Sequence, residues 1–264
     1  MSADSTKKTL MVALGVCLVC SVLVSSATVA LSDRQEENKK LDKLTNILAA
    51  GDLLKGSTDV QKTYEENIQA KLIDVKTGEI LNEKQYTKDL NPETFDTKKM
   101  TSDPKFTELI PSEIDIAGIK KLPKHMVIYE VMKDKVVDKF IFPIYGKGLW
   151  STLWGFVALD TDLRTIKGFT FYEHGETPGL GGEVDNPKWK AQWKGKKAFD
   201  ENGDIAISVI KGTVDQSNPK AEYQIDGLSG STLTSRGVSN LVRFWLGENG
   251  YGPFMAKVKE GQHE

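Results

Sequence analysis

The sequence predicts an α+β domain behind one N-terminal transmembrane helix, with a mainly antiparallel sheet and flanking helices. Three observations carry this prediction. Residues 9–32 form a run of 24 positions without a charged side chain. Four β-rich runs follow one another between residues 126 and 172, separated by tight turns. A segment rich in glycine and hydroxyl residues leads into a helix beginning at Thr232.

The bulk composition narrows the function classes. The 264 residues carry 35 Lys and Arg against 37 Asp and Glu, for a net charge of −2. With 27% charged and 39% hydrophobic residues, the chain has ordinary globular composition rather than that of a disordered one. The charge balance argues against a nucleic-acid partner, which selects for a basic surplus. Two Cys and three His argue against a disulfide framework or a Cys/His metal cluster, so no metal site is assigned.

The uncharged run is long enough to cross a bilayer, which takes roughly 20 apolar helical residues. A cleaved signal peptide has a shorter apolar core of about 7–15 residues, although Ser25-Ser26-Ala27 resembles a small-residue cleavage site. Cys20 lies too deep in the run for a lipoprotein anchor. Lys7 and Lys8 precede the run, while Asp33, Glu36 and Glu37 offset Arg34 after it. This bias places residues 1–8 in the cytoplasm and the rest of the chain beyond residue 32 outside it. Cys17 and Cys20 read as small apolar residues of the helix.

Residues 33–124 read as a stalk and an insertion region. Leu41, Leu44, Ile47 and Leu48 repeat at helical spacing and extend the helix to Ala50, with Gly51 as its stop. Leu72, Ile73 and Val75 form a short strand. Residues 82–121 are polar, broken by proline and without period, and read as a surface excursion. The domain proper is expected over residues 125–264. Its strands run through Met126 to Val131, Val136 to Phe142, Leu153 to Leu159 and Thr165 to Tyr172, an antiparallel meander. Residues 187–194 form a helix capped by Asn186, with Pro187 in its first turn. Residues 205–210 form a late strand. A final helix runs from Thr232 to Leu246 and ends at Gly247.

Two segments carry chemistry. The first is Asp226-Gly227-Leu228-Ser229-Gly230-Ser231-Thr232-Leu233-Thr234-Ser235. It opens a helix, where free amides and the positive end of the dipole attract phosphate. The plain alternative is a helix cap made by Ser229 or Ser231. The second is Tyr172-Glu173-His174-Gly175-Glu176-Thr177-Pro178-Gly179-Leu180-Gly181-Gly182. Four glycines and a proline give it an irregular backbone that can approach a flat ligand closely. The plain alternative is a long strand-to-helix turn.

These two segments, with the closing Phe244-Trp245-Leu246-Gly247-Glu248-Asn249-Gly250-Tyr251-Gly252-Pro253, resemble the C-subunit family of the Na+-translocating NADH:quinone reductase, a bacterial inner-membrane complex. The resemblance covers the whole chain. It implies FMN joined through its phosphate to a threonine hydroxyl, and the position matching that threonine is Thr232. Ser231 replaces the alanine usual in the motif and, with Thr234, offers a neighbouring hydroxyl. By the same resemblance Ser229, Gly230 and Ser231 line the phosphate, and Glu176, Thr177, Leu180 and Gly181 lie against the flavin. Trp150 and Trp154 are candidate ring neighbours, although aromatic residues in strands are more often core. The family relays electrons from an iron centre in the D and E subunits to FMN on the B subunit, in a pump that also contains the A and F subunits and oxidises NADH with ubiquinone. A separate FAD-dependent flavin transferase installs the cofactor. The resemblance places the FMN domain in the periplasm. Two other readings stand beside it: the G subunit of the related Rnf complex, which shares the motif, and a membrane-anchored binding or assembly module without a cofactor.

Overall fold

β-Branched and aromatic side chains alternate along the middle of the chain, and each alternating run became a strand. In the computed structural model, residues 5–54 and 59–261 are described. The meander consists of β4 (His125–Lys133), β5 (Val136–Lys147), β6 (Thr152–Asp160) and β7 (Ile166–Glu173), all antiparallel. An earlier strand, β1 (Ile68–Asp74), pairs antiparallel with β4, giving a five-stranded sheet in the order β1-β4-β5-β6-β7.

Both faces of this sheet are buried, because successive residues point to opposite sides. On β4, Met126 and Ile128 join one core with Phe140, Phe142 and the late helices. Val127, Tyr129 and Val131 join a second core with Ile47, Leu48 and Ala50. These last three lie at the end of α1 (Thr6–Ala50). The close fit there is set by Gly168, where a Cβ would fall 2.1 Å from the Ala50 carbonyl oxygen. The Asn46 carboxamide oxygen accepts from the Thr170 hydroxyl at 3.1 Å.

The chain divides into Met1–Lys43 and Leu44–Glu264. In the first unit the helix is long and apolar enough to span a membrane, and Leu10, Leu14 and Leu18 are exposed along it. Residues 1–4 of the expected cytoplasmic segment lie outside the described residues. The second unit begins well before residue 125, because β1 supplies a strand of the central sheet.

The insertion region is also more structured than its composition suggested. It holds α2 (Val60–Asn67), α3 (Thr97–Ser102) and β2 (Thr107–Leu109), which pairs with β3 (Lys121–Pro123). Phe95 and Met100 from this region are buried in the second core. Their apolar residues come singly, so no period marked them. Asp96 caps α3 through the amides of Lys98 and Lys99.

After β7, helix α4 (Pro187–Ala191) stops short of the expected residue 194, and Asn186 caps it as read from sequence. The late strand shrinks to β8 (Ser208–Val209), parallel to β9 (Gln224–Ile225). Helix α5 spans Thr232–Leu246 and ends at Gly247, as the pattern required. It is not the last helix, because α6 (Gly252–Lys259) follows, with Pro253 in its first turn. Pro253 and the preceding glycines read as an ending but start a new helix. Trp245 and Tyr251 anchor this end, donating to the carbonyls of Tyr145 at 2.7 Å and Pro143 at 2.6 Å.

Candidate functional site

The segment before α5 is held by hydrogen bonds from three directions. Asp226 accepts from the Val214 amide at 2.7 Å through Oδ1, and its carbonyl accepts from Trp189 Nε1 at 2.8 Å. Its own amide donates to Gln192 Oε1 at 3.1 Å. Gly227 donates to the Gly212 carbonyl at 2.7 Å, and a Cβ there would strike the Ile210 carbonyl oxygen at 2.3 Å. Gly230 adopts a φ of +70°, which returns the chain into the helix.

Ser231 occupies the N-cap position, yet its side chain makes no capping bond. Ser231 is buried, while Ser229, Gly230 and Thr232 are exposed. The cap reading of the segment is therefore not realised. An α-helix starts with unpaired amides and a partial positive charge, and here no side chain caps them. Thr232 stands at the first helical position and is exposed.

Thr234 is different. It is 0% exposed, and its hydroxyl donates to Glu176 Oε2 at 2.6 Å. Its hydroxyl is thus engaged inside the protein, unlike that of an exposed residue.

The glycine-rich loop after β7 packs onto this helix start. Leu180 Cδ2 lies 3.0 Å from where a Gly230 Cβ would sit. Leu180 is half-exposed and Thr177 is exposed. The Thr177 carbonyl accepts from the amides of Leu180 at 3.1 Å and Gly182 at 2.9 Å. His174 braces the loop, with Nε2 2.7 Å from Asp185 Oδ2 and Nδ1 accepting from the Glu176 amide at 3.2 Å.

Glu176 is 5% exposed, and its carboxylate faces protein donors. Besides Thr234 it accepts from the amides of Leu149 at 3.2 Å, Trp150 at 2.9 Å and Ser151 at 3.2 Å. Gly181 and Gly148 flank it, and a Cβ on either would fall 2.7 Å or 2.6 Å from its oxygens.

The turn between β5 and β6 thus comes beside α5 and presents Leu149 and a 73%-exposed Trp150. Trp154 instead stacks on Tyr145 at 4.5 Å between ring centroids. Two clefts flank the turn. One of about 540 Å³ is lined by Lys120, Tyr145, Lys147, Trp150, Ser151 and Trp154, among others. The other, of about 300 Å³, reaches the α5 start and includes Leu149, Leu233 and Arg236. Thr232 lines neither; its neighbour Leu233 lines the smaller.

Sequence reading did not single out Leu149, Ser151, Leu233 or Arg236. An exposed Leu-Trp pair just after a strand was the one signal available for Leu149. The arrangement suits a ligand with a phosphate end and a flat apolar end: open amides and a hydroxyl at α5, with Leu149, Trp150, Leu180 and Leu233 exposed nearby. Solvent-facing apolar groups gathered in one place mark interaction sites more than scattered ones do.

Burial alone would push the Glu176 carboxyl up. The Thr234 hydroxyl and the amides of Trp150, Ser151 and Leu149 outweigh it and hold the group below its ordinary value of 4.5. A carboxyl with a depressed folded value stabilises the fold above its unfolded value and loses that contribution as pH falls through the folded one. Thermal stability should therefore decline as the pH drops below about 4.5. In Glu176→Gln that part of the decline should vanish, which melting curves at stepped acid pH will read.

Residues 148–247 match the family described as FMN-binding domain. The chain is 47% identical over 262 residues to the C subunit of the Na(+)-translocating NADH-quinone reductase of Pseudomonas aeruginosa, covering 98% of each. It is 46% identical to the C subunit from Yersinia pestis, covering 98% of this chain and 95% of that protein. Among solved structures, Shewanella oneidensis NqrC superposes with a TM-score of 0.76 at 34% identity, over 84% of this chain and 99% of that one. The C subunit from Parabacteroides distasonis gives 0.64 at 27%, over 85% and 96%. With near-complete coverage by such relatives and an FMN-binding domain at the site just described, the chain belongs to the C-subunit family of the Na+-translocating NADH-quinone reductase.

Proposed function

We propose that this chain is the flavin-carrying subunit of a Na+-pumping NADH:ubiquinone reductase, with FMN attached to Thr232 through a phosphoester. One observation carries the attachment: α5 starts without a side-chain cap and presents the Thr232 hydroxyl at that open end, while Thr234 is buried and engaged.

The remaining phosphate charge is met by the α5 N-terminus, with Ser229, Gly230 and Ser231 around it. Trp150, Thr177, Leu180 and Gly181 take the flavin ring, Leu180 as apolar cover and Thr177 as hydroxyl donor. Glu176 supports these groups from beneath. When bound, FMN supplies the electron transfer between the iron centre of the D and E subunits and the FMN of the B subunit; the protein positions it and tunes its surroundings.

Residues 9–32 anchor the chain in the bacterial inner membrane with a cytoplasmic N-terminus, and the FMN domain lies in the periplasm. The partners are the A, B, D, E and F subunits, and an FAD-dependent transferase for maturation. Similarity along 98% of the chain to C-subunit proteins supports this reading over the Rnf G subunit.

The test is to produce the protein with and without the flavin transferase, denature it and view the gel under ultraviolet light. A fluorescent band that depends on the transferase is expected. A dark band in the presence of an active transferase overturns the covalent reading.

A further inference from the structure

Three chain segments meet at one carboxylate. Glu176 receives amides from the turn at residues 149–151, the Thr234 hydroxyl from α5, and sits on the loop that carries Thr177 and Leu180. The Ser151 hydroxyl adds a further link, accepting from the Gly175 amide at 2.7 Å. The donors to Glu176 are amides and hydroxyls rather than a lysine or arginine. Such bonds are strong for an anion and directional, so they fix positions more than an ion pair would. A Cβ on the flanking Gly148 or Gly181 would collide with these two oxygens.

We propose that Glu176 is the positioning residue of the flavin site: it holds the Leu149-Trp150 turn against α5 and keeps the Thr234 hydroxyl occupied, so that attachment is confined to Thr232. This rests on the FMN reading above. Attachment forms a bond from Thr232 Oγ1 to the FMN phosphorus of FAD, breaks the bond from that phosphorus to the AMP oxygen, and sends the hydroxyl proton to the departing AMP. Thr234 has the same hydroxyl and lies two positions further along the same helix. What separates the two is exposure and partner: Thr232 faces solvent, and Thr234 gives its hydrogen to Glu176. Glu176 touches neither the acceptor oxygen nor the outer surface of the site. It acts through Thr234 and through the three amides.

The full-length protein should be made with and without the transferase, as wild type, Glu176→Gln, Thr234→Val and Thr234→Ser. Hydrogen exchange of the amides at residues 149–151 is read on the flavin-free protein. Labelling rate and site are read by peptide mapping under limiting transferase. In Glu176→Gln, exchange at these amides should rise by about tenfold or more, the scale of losing a hydrogen bond to a charged group. Labelling of Thr232 should fall by about the same factor, with part of the flavin on Thr234. Thr234→Val should slow labelling in the same direction, and Thr234→Ser should restore it. Thr234→Val, nearly isosteric, also decides the matter if Glu176→Gln does not accumulate. Raised exchange with labelling unchanged in rate and site overturns this inference alone, as does unchanged exchange in Glu176→Gln. A wild-type protein that takes no flavin overturns the FMN reading, and the acceptor assignment with it.

Discussion

Thr232→Ala should abolish the covalent flavin completely while the domain still folds. The hydroxyl is exposed at the first position of α5, so its removal leaves no cavity and breaks no buried bond. Alanine is also a good helix former. The melting temperature should therefore stay close to wild type, a surface change of about 0.5 kcal/mol at most. In-gel fluorescence after denaturation reads the loss, and the melting curve shows that it is not a folding defect. The nearby hydroxyls do not substitute for Thr232: Thr234 donates to Glu176, and Ser231 is buried. Ser229 is exposed but precedes the helix. Retained fluorescence, mapped to Ser229, would refute the assignment and move the phosphate off the helix terminus.

Gly237→Val should strongly destabilise the protein and should remove flavin uptake as well. Gly237 is the point where α5 touches the turn after β5. A Cβ there would fall 2.4 Å from the Lys147 carbonyl oxygen and 3.2 Å from Gly148 Cα. Both contacts are backbone, so no side chain can swing aside. The helix has to lift from the sheet, and the start of α5 then parts from Glu176 and the Leu149-Trp150 turn. Overpacking of this kind costs about 3 kcal/mol or more. For a unit of this size that corresponds to a fall in melting temperature of roughly 6–12 °C. The neighbouring exposed Arg236→Ala should cost less than about 0.5 kcal/mol. Calorimetry on the pair decides: a Gly237→Val protein as stable as the Arg236→Ala protein would mean that the close approach is not structural.

Much of the architecture was legible because it is written in short-range patterns. The uncharged run at residues 9–32, the alternation along β4 to β7 and the bounds of α5 each depend on neighbours within a turn or a pleat. So does the Asn186 cap. Residues 226–232 stood out by composition, glycines and hydroxyls ahead of a helix, which suits a phosphate site and equally describes a simple cap.

Tertiary structure set aside the Ser231 cap, because capping depends on where a side chain points and not on its identity. It left Ser231 without a capping bond and Thr232 open, and it turned Thr234 inward to Glu176 across 58 positions of chain. It also carried β1 into the sheet beside β4 and buried Phe95 and Met100, contacts between residues with no shared local period. The sequence by itself thus determined the membrane anchor, the antiparallel strands and the glycine- and hydroxyl-rich segment that opens α5. Which hydroxyl is free, and what holds the surrounding turn in place, was decided by long-range packing, since hydrogen bonds between distant segments leave no periodic trace in the chain that makes them.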